Sequence, residues 1–168
     1  IALSARGGGT IRLTSSLVSE PYVSMTRSVL QKTGVRVRQG TPEDFVIRGD
    51  HPHSLEYTVP GDYSSAAFWI VGGALTEGDL ALQGLVSDDV QGDRRLVSIL
   101  RDLGADLQWT EEPEGEVLTV CGAFRPPGFE LDASDCPDLV PILAVLGCFA
   151  RERCRLHNIA HLANKESN

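Results

Sequence analysis

The sequence predicts an α/β protein assembled from repeated β-α-β-α-β-β units. Three observations predict it: two stretches of the chain read alike, each joins a Gly-led alternating strand to an amphipathic helix that stops at a glycine, and two further stretches are apolar on nearly every side. From Gly9, GTIRLTSSLVSEPYVSMTRSVLQKTGVRV matches GDLALQGLVSDDVQGDRRLVSILRDLGADL, from Gly78, in its strand, in a Leu-Val step and in a helix ending at Gly34 or Gly104. The period is roughly seventy residues. A third copy is expected to begin at CRLHNIAHL, from Cys154, and to be cut off by the end of the chain.

Each element follows from its periodicity. Alternation over residues 10–13 gives a strand, and a helix over about residues 21–32 places Val23, Thr26, Val29 and Leu30 on one face. Ser19 before Pro21 marks the helix start, and Gly34 stops it. VRVRQ and DFVIRG then read as two short strands. The second copy repeats the order, with a helix over about residues 92–103, Gly104 as its stop, and DLQWTE and EVLTVCG as strands. The apolar stretches at about 64–75 and 139–150 are expected to be helices buried all round.

With 168 residues the chain has material for one sizeable core or two small ones. A net charge of −8 provides none of the basic surface that binding a nucleic-acid backbone requires, so nucleic acid is not an expected partner. Small anions remain possible ligands, because a few placed cations and a helix N-terminus suffice to hold a phosphate. The longest apolar stretch falls far short of the roughly 20 residues that span a bilayer, so no membrane span is expected. Ile1 in place of Met suggests a missing upstream piece, and nothing marks the start for secretion. Cys121, Cys136, Cys148 and Cys154 have neither Cys-x-x-Cys nor zinc-like spacing, and read as reduced thiols of a cytoplasmic protein. His157 and His161 stand four apart without the Glu of His-Glu-x-x-His, so no metal is expected there. The Gly7-Gly8-Gly9 and Gly72-Gly73 runs lack the Lys-Ser/Thr of a phosphate loop and read as turn and packing glycines.

Five stretches stand out in order: LVSEPYVSMT (residues 17–26), PGDYSSAAFWI (60–70), VQGDRRLVSILRDLGA (90–105), DCPDLVPILAVLGCFA (135–150) and LHNIAHLANKES (156–167). Together, in this order and spacing, they resemble one family, the 3-phosphoshikimate 1-carboxyvinyltransferases or EPSP synthases. The resemblance implies the enolpyruvyl transferase fold, an inside-out α/β barrel type of two lobes with three units each and the active site in the cleft between them. This chain would be a middle slice, with residues 1–59 finishing the first lobe and 60–168 beginning the second. The implied activity is transfer of the enolpyruvyl group of phosphoenolpyruvate to shikimate 3-phosphate, in aromatic amino-acid biosynthesis. No metal or organic cofactor is implied, and the full-length form is expected to be a monomer.

The resemblance also assigns residues, each of which has a plainer reading. Ser19 and Tyr22 could be a helix cap and a packing tyrosine; the family's Ser and Tyr there help bind shikimate 3-phosphate. Asp138, after Pro137, could be a carboxylate favoured by a helix dipole; the family's Pro-Asp carboxylate contacts the shikimate ring hydroxyls, which makes Asp138 a candidate to move the acceptor proton. Lys165 and Glu166 could be a solvated charge pair; the family's Lys-Glu-Ser motif makes them candidates for substrate contact and for proton transfer at the phosphoenolpyruvate methylene. His161 aligns with a substrate-side position. The sequence departs from the family where Ala163 replaces an Arg and Asn168 an Asp. Two alternatives stand beside this reading: the related transferase acting on UDP-N-acetylglucosamine, and a non-catalytic remnant or scaffold of the same fold.

Overall fold

The structure is a computed structural model that describes residues 8–15, 17, 20–41, 43–48 and 52–164, with only the backbone described at His161 and Asn164. It divides into two compact units, Ile1–Thr58 and Val59–Asn168.

In the first unit, β1 (Gly9–Arg12), α1 (Glu20–Lys32), β2 (Val37–Thr41) and β3 (Asp44–Ile47) follow in order. The three strands form an antiparallel sheet in the order β1-β3-β2. Alternation decides which side is covered: Val35, Val37, Phe45 and Ile47 are buried, and Leu13, Leu17, Val23 and Leu30 pack on them. The face of α1 expected from periodicity is thereby corrected. Val23 and Leu30 turn inward, but Thr26 and Val29 are exposed. The intervening polar residues leave a seam of two apolar side chains, too narrow to draw the β-branched pair under cover.

The second unit has α2 (Tyr63–Leu75), β4 (Asp79–Gln83), α3 (Arg95–Asp102) entered through a 3-10 turn (Gly92–Arg94), β5 (Leu107–Glu112) and β6 (Gly115–Cys121). Its sheet has the order β4-β6-β5, again antiparallel throughout. Strand for strand this is the topology of the first sheet, so the internal repeat read from the sequence is a repeat of structure. The same glycine stop recurs. Gly34 and Gly104 lie at φ 83° and 96°, and in each copy the next residue donates its N–H back into the helix, Val35 to Leu30 and Ala105 to Leu100.

The chain continues as β7 (Glu130–Asp132), a 3-10 turn (Pro137–Leu139), α4 (Val140–Cys148), β8 (Arg155–His157) and a final 3-10 segment (Ala160–Asn164). β7 and β8 pair in parallel, with α4 in the crossover between them. The core of this unit runs from Tyr63, Ile70 and Val71 through Leu96, Leu100, Leu118 and Val120 to Leu139, Leu143 and Leu146.

Neither α2 nor α4 is covered all round, against expectation. α2 buries Tyr63, Ala67, Ile70, Val71 and Ala74, while Phe68 and Trp69 are 58% and 67% exposed. α4 buries Ile142, Leu143 and Leu146 and leaves Val145 exposed, as is Phe149 just after its end. An evenly apolar helix has no polar face to choose its orientation, so packing alone fixes which arc is covered.

The positive φ of Gly104 makes a direct prediction. Gly104→Ala should cost about 1–2 kcal/mol, the penalty of an L-residue in that region, and Gly104→Asn should cost less. Urea unfolding of the three proteins measures this, and an Ala variant as stable as the parent would show that the turn is not constrained.

Candidate functional site

The start of α2 is built by two side chains from its own unit. Asp62 caps the helix, accepting from the N–H groups of Ser64 (3.2 Å) and Ser65 (3.0 Å) and from the Ser65 hydroxyl (2.5 Å). The Ser65 hydroxyl, with the two N–H groups, holds the Asp62 carboxyl below its ordinary value. Gln91 then straddles the same turn: its Oε1 accepts from the Tyr63 N–H (2.9 Å), and its Nε2 donates to Gly61 O (2.9 Å). Next to it, Asp93 is buried and accepts from the Ser64 hydroxyl at 2.6 Å. PGDYSSA and QGD, read separately in the sequence, therefore form one hydrogen-bonded junction. Tyr63 is buried beneath it with its hydroxyl donating to Val86 O (2.7 Å), and burial pushes its pKa up to about 12.

Asp138 lies half-buried on the 3-10 turn (Pro137–Leu139) that leads into α4. No side chain caps α4, and a proline stands in the first turn of both segments, where the missing N–H removes a donor that would need a partner. A carboxylate at that place gains from the helix dipole. The turn hangs from β7 by a run of backbone bonds, Cys136 N–H to Ala133 O and Leu139 N–H to Cys136 O. Burial raises the pKa of the Cys136 thiol, which suits a packing residue better than a nucleophile.

Across the parallel pair, the residues after β8 lie beside this loop. Asp132 faces His157 in the register, and Ala133 N–H donates to His157 O at 3.1 Å. His157 Nε2 also meets Glu130 Oε1 at 2.5 Å. Asn158 takes a left-handed turn, φ 58°, into the 3-10 segment (Ala160–Asn164) whose backbone includes His161. The structure thus joins the His157–Asn158 corner to Asp132 and Ala133, where the loop that leads to Asp138 begins. Ser19, Lys165 and Glu166 lie outside the described residues, as does the side chain of His161. Tyr22 sits exposed in the first turn of α1, where its carbonyl accepts from the Thr26 hydroxyl at 2.9 Å.

Sequence reasoning missed Asp62, Gln91 and Asp93, and it missed Asp132 and Asn158. The Asp-x-Ser-Ser run was a readable cap signal; the others act across 26 to 30 residues and had none. A cleft of about 490 Å³ lined by Phe68, Trp69, Gly72, Gly73, Thr76 and Leu80, among others, contains no predicted site residue. Among the described residues no group of three or more His, Cys, Asp or Glu side chains could hold a metal, and no helix is long and apolar enough to cross a membrane.

Comparison with known proteins gives this geometry its place. The EPSP synthase of Acinetobacter baumannii shares the fold with a TM-score of 0.75 and 25% identity, over 99% of this chain and 38% of that one. The enolpyruvyl transferase NikO of Streptomyces tendae shares the fold at a TM-score of 0.57 and 22% identity, over 97% of this chain and 40% of that one. The fold class is therefore the inside-out α/β type of the enolpyruvyl transferases. Within it, the chain belongs to the EPSP synthase (3-phosphoshikimate 1-carboxyvinyltransferase) family, which it matches over residues 1–168. A 3-phosphoshikimate 1-carboxyvinyltransferase of Methanothrix thermoacetophila is 42% identical over 96% of the chain and 37% of its own length. One of Methanococcus maripaludis strain C6 is 36% identical over 93% of the chain and 36% of its own length. The chain thus spans a little over a third of these relatives.

Asp62 supplies a pH prediction with a definite sign. Its folded pKa is depressed, so its contribution is complete above the ordinary value of 3.8 and is lost as pH falls from there through the folded value. Asp62→Ala should cost about 0.5–2 kcal/mol at pH 7 and much less at pH 2.5. Thermal unfolding of both proteins at the two pH values decides it, and a difference independent of pH would remove the charged cap from the account.

Proposed function

We propose that the chain is a middle portion of an enzyme that transfers the enolpyruvyl group of phosphoenolpyruvate to shikimate 3-phosphate, releasing phosphate, on the route to aromatic amino acids. The observation that carries this reading is the match to the EPSP synthase family over residues 1–168, together with relatives at 36% and 42% identity that bear the name of that activity. Residues 1–59 would finish one lobe and 60–168 begin the next. The proposed setting is the cytoplasm.

In this reading Ser19 and Tyr22 bind shikimate 3-phosphate, with the helix dipole at the start of α1 favouring the anion. Asp138 orients the acceptor hydroxyl and takes its proton. That hydroxyl attacks C2 of phosphoenolpyruvate while a proton, carried by Glu166 or Lys165, reaches the methylene carbon. Loss of a proton from the resulting methyl group and departure of phosphate restore the enol double bond. His161 and Lys165 contact substrate. Both substrates are polyanions, so the reaction asks for positioned cations and one or two carboxylates rather than a cofactor.

Two measurements test the reading. In the longer polypeptide, Ser19→Ala should weaken shikimate 3-phosphate binding by about 1–2 kcal/mol, as expected for losing a hydrogen bond to a charged group. Calorimetry giving unchanged affinity with a lowered melting temperature would leave Ser19 as a helix cap. Asp138→Asn should fold normally, still bind shikimate 3-phosphate, and lose about 10²–10⁴ in kcat. An unimpaired single-turnover rate would take Asp138 out of the chemistry.

A further inference from the structure

Asp132, the last residue of β7, is engaged at every oxygen it has. Its Oδ1 accepts from the Ser134 N–H at 2.9 Å, its Oδ2 from the Asn158 side-chain amide at 2.7 Å, and its backbone carbonyl from Arg95 Nη1 at 3.1 Å. The Ser134 N–H is the largest cause, followed by the Ser134 hydroxyl and the Asn158 amide, that holds this carboxyl below its ordinary value. Two chain segments leave from this one side chain. Ser134 begins the loop that reaches Asp138 four residues later, and Asn158 begins the segment that reaches His161 and then Lys165 and Glu166.

The backbone at both departures needs holding. Asn158 stands at φ 58°, a region L-residues enter at a cost and Asn tolerates better than most. Within the loop after Asp132, single turn bonds run from Cys136 to Ala133 and from Leu139 to Cys136 before α4 starts. β7 and β8 have three residues each, so their ladder ends at Asp132 and His157. Past that point one further backbone bond, Ala133 N–H to His157 O at 3.1 Å, continues the pairing, and the Asp132–Asn158 side-chain pair is added to it.

We propose that Asp132 and Asn158 are positioning residues, whose side-chain pair ties the loop carrying Asp138 to the segment leading to His161, Lys165 and Glu166. Their substrate role rests on the function proposed above. The tie itself is a property of the fold and is separately measurable. It makes the order of one segment depend on the order of the other, in addition to the backbone bond between Ala133 and His157. Neither residue touches substrate in this account.

The test uses three variants and a control. Asn158→Gly removes the donor while easing the backbone, because Gly accepts positive φ freely. Asp132→Ala removes the acceptor of both Ser134 and Asn158. The double variant D132N/N158D reverses donor and acceptor and restores both bonds. Hydrogen exchange on the 168-residue chain should show both single variants opening residues 133–139 and 158–162 together, by about three- to tenfold, with the double variant returning to the parent rate. Glu130→Ala, which removes the other side-chain contact between the same strands, should leave residues 133–139 unchanged. In the longer polypeptide the single variants should lower kcat with shikimate 3-phosphate about tenfold or more, with little change in melting temperature and recovery in the double variant. Opening of one segment alone, or a double variant no better than the singles, overturns the tie. Coupled exchange with normal kcat in all variants keeps the tie and overturns its role in positioning. A parent that does not turn over shikimate 3-phosphate overturns the proposed function, and the exchange result still decides the tie.

Discussion

The larger unit depends on one buried carboxylate and the amide beside it. Asp93 is 4% exposed, and an uncompensated charge at that depth would cost several kcal/mol. The Ser64 hydroxyl donates to it at 2.6 Å, from the first turn of α2 where the helix dipole also favours a negative charge. Two residues earlier Gln91 takes up the Tyr63 N–H, and Asp62 takes up those of Ser64 and Ser65, so three of the four donors that a helix start leaves open are matched. The consequence is directional. The first turn of α2 is bonded to the turn that opens α3, and the core residues of both helices, Ile70 and Val71 with Leu96 and Leu100, fall into one cluster.

How far this was legible depended on the range of the interaction. The strands of both antiparallel sheets were readable because alternation is local, and the two helix stops because a glycine after an apolar run needs no partner to be recognised. β7 was not anticipated: three residues carry too little alternation to stand out, and its partner β8 begins 25 residues further on. The covered arcs of α2 and α4 were unreadable for the opposite reason. A sequence that is apolar at every position signals burial but not direction, and Phe68 and Trp69 are as hydrophobic as the residues that turned inward.

The candidate site divides along the same line. Pro137–Asp138 could be placed at a helix start from the sequence because proline and acidic residues both favour that position. What sets the loop in space could not. The Asp132–Asn158 bond joins residues 26 apart, and nothing in ELD or HNI marks either as a partner for the other. The resemblance to a family supplied the roles of Ser19, Tyr22, His161, Lys165 and Glu166, which residue type and spacing alone left as ordinary caps and surface charges.

Asp62 and Asp138 stand at helix starts of different build. Asp62 precedes a helix whose first N–H groups are intact, and its oxygens are taken by Ser64 and Ser65, with a correspondingly depressed pKa. Capping is the whole of its geometry. Asp138 lies between two prolines, Pro137 and Pro141, which remove N–H groups from the turns on either side of it and so reduce the demand for a cap. α4 accordingly has no side-chain cap. A helix start with prolines in its turns keeps the favourable dipole for a carboxylate while offering fewer backbone donors for a side-chain cap to satisfy, so the two helix starts differ in build although both carry an acid.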